Sequence, residues 1–173
     1  MLHNPGMTNN NIEQAFAERP EVFTGWIQLN GAIKAGMDLR RYELVTLAAA
    51  LRLRSSCCSV AHGKILLEQF GAPVLEIARD RHTAGLSEVD LAVMELAERI
   101  VDDASSIEDG DLQRLRDLGL SEADIADVVY AASARCFFSK TLDALGILAD
   151  ASYGELDPGV REVLVVGRPI AEA

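Results

Sequence analysis

Apolar residues recur at steps of three and four along nearly the whole chain, the period of helices packed on one side. Apolar–polar alternation is never sustained, and no Asn-Gly or Asp-Gly turn joins two β-branched runs. The pattern predicts a short helix from Asn9 to Glu18, closed by Pro20. A second runs from Glu21 to Ala35, with Val22, Trp26, Leu29 and Ile33 on one face and Gly36 as its stop. Asp38 caps a third, running to about Leu53. Ser55 or Ser56 caps a fourth, which reaches Phe70 and ends at Gly71. Pro73 to Asp80 reads as one short helix.

Two later helix starts share one text, Gly85-Leu86-Ser87-Glu88 and Gly119-Leu120-Ser121-Glu122, each with Asp three residues after the serine, close to a capping box. They open helices over 87–103 and 121–146, on either side of a shorter amphipathic helix over 109–118. In the long helix Ile125, Val129, Ala132 and Cys136 share a face, which Phe138, Leu142 and Leu145 continue. The repeated start fits two related helical halves, or a common stop-and-start text. Tyr153 to Ala173 holds Gly154, Pro158, Gly159, Gly167 and Pro169 and cannot be one long helix. Its Val163–Val166 run is expected to dock on a neighbouring copy or to lie loose. The expected fold is all-α, a single compact multi-helix domain. Its divisions are an N-terminal segment and short helix (1–19), a helical domain (20–150) and a C-terminal tail (151–173).

Composition narrows the function. The 173 residues are 49% apolar and 25% charged, enough to bury a core, and with aromatics at only 5% that core is mostly Ala, Leu, Val and Ile. The net charge of −11 disfavours nucleic acid and anionic membranes, both of which call for clustered Lys and Arg. No run approaches the ~20 apolar residues of a membrane span. Three cysteines make no disulfide framework, and the polar, Asn-rich start is no leader, so a cytoplasmic setting is expected. His82 reads as a loop residue and His3 as a disordered one, neither with a role.

One segment carries chemistry. Ser55, Cys58 and His62 stand at i, i+3 and i+7, one face of the fourth helix, while Cys57 is rotated about 100° away. Cys58 falls in the first turn, where unpaired N–H groups and the helix dipole favour a thiolate. His62, one turn on, supplies a base or a cation. Glu43 lies twelve residues before Ser55 on an otherwise apolar helix. In an antiparallel hairpin Glu43 and His62 can meet, with Cys58 nearer the turn. Each residue also has an ordinary reading: Cys as a small core hydrophobe, Glu43 as a first-turn acid, His62 as a half-exposed polar residue. Cys-x3-His alone is a weak zinc signature, and neither a metal nor another cofactor is expected.

The span Glu43 to His62 resembles the motif of the carboxymuconolactone decarboxylase family, in its alkylhydroperoxidase D-like branch. That branch carries a Glu, a Cys-x-x-Cys beginning twelve residues later, and a His four residues after the second Cys. Glu43, Cys58 and His62 match; Arg41-Tyr42-Glu43-Leu44-Val45 and Ala61-His62 fit the flanking text, and residues 120–146 look like the family's second half. The resemblance implies a helical fold of that type and a hydroperoxide-reducing site. In it Cys58 is the reactive thiol and His62 and Glu43 move its proton. Ser55 stands where the resolving Cys would be, so Ser55 can only hydrogen-bond, and Cys57 or Cys136 would have to resolve. A vicinal Cys57–Cys58 disulfide strains helix geometry. The implied partners are a small hydroperoxide, an external thiol or redox-protein reductant, and further copies of the chain as a trimer or hexamer. The alternatives are a lactone decarboxylase using Glu43 and His62 as acid and base, and a degenerate site on an assembly or binding module.

Overall fold

The structure, a computed structural model, describes residues 10–172; Asn9 and His3 lie outside them. Among these residues are nine α-helices and no strand. They are α1 (Asn10–Ala15), α2 (Pro20–Gly36), α3 (Leu39–Arg52), α4 (Ser56–Phe70), α5 (Val74–Asp80), α6 (Glu88–Asp103), α7 (Asp109–Asp117), α8 (Glu122–Ala144) and α9 (Pro158–Leu164). No helix among them is long and apolar enough to cross a membrane. The all-α expectation holds, with most boundaries moved by a residue or two and the end of α1 by three, from Glu18 to Ala15. Pro20 opens α2 rather than closing α1, because the first helical N–H has no partner to lose.

α3 is the centre. Tyr42 through Ala50 are all buried, and the helix packs on α4, α6 and α8. A helix apolar all round needs neighbours all round, and its alanines let them approach closely. Asp38 caps it by accepting from the Arg41 N–H at 2.9 Å. Ser87 and Ser121 form full capping boxes with Asp90 and Asp124 at the starts of α6 and α8.

The turn from α3 to α4 sets the site. Arg54 N–H donates to Leu51 O and Ser55 N–H to Ala50 O, a Schellman ending with Arg54 in the left-handed position at φ 58°. Glycine is the usual residue there, and a side chain costs about 1 kcal/mol. Gly167, from the C-terminal segment, lies against this turn; a Cβ on it would stand 2.0 Å from Arg54 O.

That segment corrects one expectation. Val163–Val166 does not hang loose. Leu164 is fully buried against Gly63 of α4, and its carbonyl accepts from Ser59 Oγ. Gly167 N–H donates to Ser56 Oγ at 2.8 Å, and Ala171 N–H to Ala149 O at 2.8 Å. The chain after α9 is a strap over the first turns of α4.

α8 corrects a second. Ile125, Ala132, Phe138 and Leu142 of the expected stripe are buried, but Val128 and Arg135 face inward where Val129 and Cys136 were expected, and Ala131 and Ser139 join them. Cys136 is therefore half-buried at the edge rather than core, and Leu145 is exposed. On α2 the inward residues are Trp26 and Ile33, whereas Leu29 faces outward.

Candidate active site

Glu43 comes from the second turn of α3 and His62 from the second turn of α4. The antiparallel pair brings Glu43 Oε2 to 2.6 Å from His62 Nδ1, with both side chains fully buried. Lys34 of α2 closes the other side, its Nζ 3.1 Å from Glu43 Oε1 and 4.7 Å from the centre of the Tyr42 ring. Oε1 thus has an ion-pair partner but no hydrogen bond of good geometry. Burial raises the Glu43 pKa, and His62 and Lys34 outweigh it, so the carboxyl stays below its usual range and is ionised at neutral pH. His62 goes the other way. Burial is the largest cause, Arg135 adds to it, and Glu43 only partly offsets them, leaving its pKa at about 4. The imidazole is therefore neutral, with Nδ1–H donating to Glu43. Its Nε2 is a buried lone pair without a hydrogen-bond partner.

Cys58 occupies the third position of α4, in the turn whose N–H groups are unpaired. Its neighbour is Arg135 of α8, with Nη1 3.7 Å from Sγ. Arg135 is itself buried. Its Nη2 donates to Tyr42 Oη at 3.2 Å, and Tyr42 Oη donates to Asn30 Oδ1 at 2.5 Å. The guanidinium carbon lies 5.5 Å from the ring centres of both Trp26 and Phe138. Those rings stack with centroids 4.3 Å apart, and Phe16, Phe23 and Phe137 extend the cluster. Four of the five phenylalanines and the single tryptophan thus gather around one arginine. Burial works against the Arg135 charge, and Tyr42 and Cys58 more than offset it.

The other expected residues fall at the edge of this group. Ser55 is fully buried at the N-cap of α4 but makes no capping bond. Burial raises the Asp143 carboxyl, and the nearby Ser55 hydroxyl partly offsets this, although it closes no hydrogen bond of good geometry. Cys57 and Cys58 are both buried thiols. Near them the Tyr153 phenol is pushed up to about 12, first by burial and then by Cys57, and so stays neutral. Cys136 is a thiol at the rim whose pKa burial raises. His82 is exposed in the turn after α5. Among the described residues no group of three or more His, Cys, Asp or Glu is placed to hold a metal.

Arg135 and Lys34 were not legible as site residues. The signal for Arg135 was present: it sits at a core position of the 125–128–132–135–139–142 line, where an unpaired charge has no ordinary place.

No protein-family model matches the chain, and no curated protein does. Solved structures do. One is an alkylhydroperoxidase AhpD core, an uncharacterized peroxidase-related protein from Ralstonia eutropha JMP134. It is 18% identical over 91% of this chain and 82% of that one, with a TM-score of 0.75. Another is an uncharacterized peroxidase-related protein from Silicibacter sp. TM1040. It is 20% identical over 87% of this chain and 81% of that one, with a TM-score of 0.78. The all-helical fold of this chain is that of the alkylhydroperoxidase core.

Proposed function

We propose that the protein reduces small hydroperoxides with Cys58 as the reacting thiol. The observation that carries the reading is the buried Glu43–His62 couple one helical turn beyond Cys58. Its Nδ1 side is closed by Glu43 and its Nε2 side holds an unused lone pair. Residues four apart on a helix are neighbours. A proton leaving the thiol passes to Nε2 as sulfur attacks the outer oxygen of R–O–O–H. The S–O bond forms, the O–O bond breaks, and the proton goes on to the departing alkoxide. The sum is Cys58–SH + ROOH → Cys58–SOH + ROH, sulfur losing two electrons and the peroxide gaining them. Glu43 stabilises the transient imidazolium. Two equivalents of an external thiol then return Cys58–SH and release water and the external disulfide. With Ser55 in place of a second motif cysteine, the reductant has to come from outside the motif. The two peroxidase-related structures of the same fold support the reading.

The test is turnover of tert-butyl hydroperoxide with excess dithiothreitol. Activity should vanish in Cys58→Ser and survive in Cys57→Ser. Turnover that survives Cys58→Ser overturns the reading and moves the redox step off Cys58.

A further inference from the structure

We propose that Arg135 is a catalytic residue of this site. Its guanidinium is the counter-ion of a Cys58 thiolate and donates to the oxygen that the sulfur acquires. The inference rests on the reading of Cys58 as the reacting thiol.

Charge bookkeeping carries it. Arg135 is buried, and its polar contacts are Cys58 Sγ and Tyr42 Oη, neither of them a carboxylate. The nearby buried carboxylate, Glu43, is already occupied at both oxygens by His62 and Lys34. A buried cation with no anion is costly, and a protein retains one where an anion forms or binds. Tyr42 does not supply that anion, because its hydroxyl donates its hydrogen to Asn30 Oδ1 while accepting from Arg135. The group in contact that can become an anion is the Cys58 sulfur.

His62 strengthens the assignment. An ordinary thiol releases its proton near pH 8.5, whereas His62 holds one only below about 4. The imidazole relays a proton but cannot keep it from the thiol at rest. The group that stands against the sulfur is Arg135. The Trp26 and Phe138 rings and the Tyr42 hydroxyl fix the plane of the guanidinium. A lysine would present a point charge instead of that donor fork. One further donor, Nε, is buried and unpartnered. From the thiolate the reaction is Cys58–S⁻ + ROOH → Cys58–SO⁻ + ROH, with the same two-electron exchange. The charge passes to the departing alkoxide as the O–O bond breaks, and returns to the sulfenate beside Arg135 when the alkoxide takes the hydroxyl proton.

The experiment follows iodoacetamide alkylation of Cys58 by peptide mapping in the full chain, against pH. Arg135→Gln removes the charge while keeping an amide donor, Arg135→Met removes both, and Arg135→Lys keeps the charge. At pH 7 the Gln and Met variants should label Cys58 at least tenfold more slowly than wild type, with the gap closing by pH 10. The Lys variant should retain most of the rate. A role in packing alone leaves the pH profile in place and changes only stability. Equal profiles for wild type and a folded Gln or Met variant overturn the assignment, whatever the peroxide turnover. Should wild type consume no peroxide while the profile still moves, the thiolate pair stands and the peroxidase reading falls. Where Met unfolds the chain, the comparison of Gln and Lys variants decides.

Discussion

Glu43 and His62 are nineteen residues apart and meet at 2.6 Å with neither side chain reaching solvent. The contact ties α3 to α4 and orients the imidazole. Replacing Glu43 by Gln removes the charge facing His62 and Lys34. The change should cost about 1–3 kcal/mol in chemical unfolding, the usual penalty for spoiling a buried polar partner. Peroxide turnover should fall by about a hundredfold or more if the pair moves the proton.

The pair also makes stability depend on pH. Unfolded histidine titrates near 6.5, and His62 in the fold near about 4. Between those values the unfolded chain binds a proton that the folded chain refuses, so stability rises with pH across that window. The contribution is complete above about pH 6.5 and lost as pH falls toward 4; it amounts to roughly 3 kcal/mol. Glu43, held below its ordinary range, adds a loss in the same direction at still lower pH. Urea unfolding between pH 7 and 4 should show this slope, and His62→Gln should flatten it. A wild type whose stability does not change over that range contradicts the assignment of a neutral buried imidazole.

The strap over α4 makes a separate prediction. Gly167→Ala puts a methyl group 2.0 Å from Arg54 O, too close for any side chain, and displaces the Gly167 N–H from Ser56 Oγ. The variant should lose about 1–3 kcal/mol in thermal or chemical unfolding, typical of overpacking. A variant as stable as wild type would mean that the strap does not hold the turn between α3 and α4.

Much of this was legible beforehand because its determinants are local. Capping serines, the Gly71 stop and the apolar run of α3 mark helices without help from the rest of the chain, and the Glu–Ser–Cys–His spacing marks the segment. Two features were not legible, for a physical reason. On α8 the two readings differ by one residue at two positions, Val129 against Val128 and Cys136 against Arg135. Alanines and valines on both sides make them nearly equal in apolar content, and only packing against α2 and α3 decides between them. That one-residue difference moved Cys136 out of the core and Arg135 into it. The strap depends on long-range contacts, Leu164 with Gly63 and Gly167 with Arg54, that no local pattern encodes.

Ser55 allows a gain-of-function test. Ser55→Cys restores the Cys-x-x-Cys spacing three residues before Cys58. After one equivalent of peroxide the variant should lose two hydrogens, closing a disulfide, where wild type keeps an added oxygen. Non-reducing peptide mapping should find the introduced thiol joined to Cys58. A variant that keeps the added oxygen would show that position 55 does not reach the oxidised sulfur in this fold.

The central claim is that Cys58 reacts with a hydroperoxide and holds the transferred oxygen. Its most direct test is intact-mass spectrometry of the reduced wild-type chain after one equivalent of tert-butyl hydroperoxide, with dimedone added to trap sulfenic acid. The account predicts a gain of one oxygen, converted by dimedone to a single adduct that peptide mapping places on Cys58. An unchanged mass, or an adduct on Cys57 or Cys136 with Cys58 untouched, would contradict it.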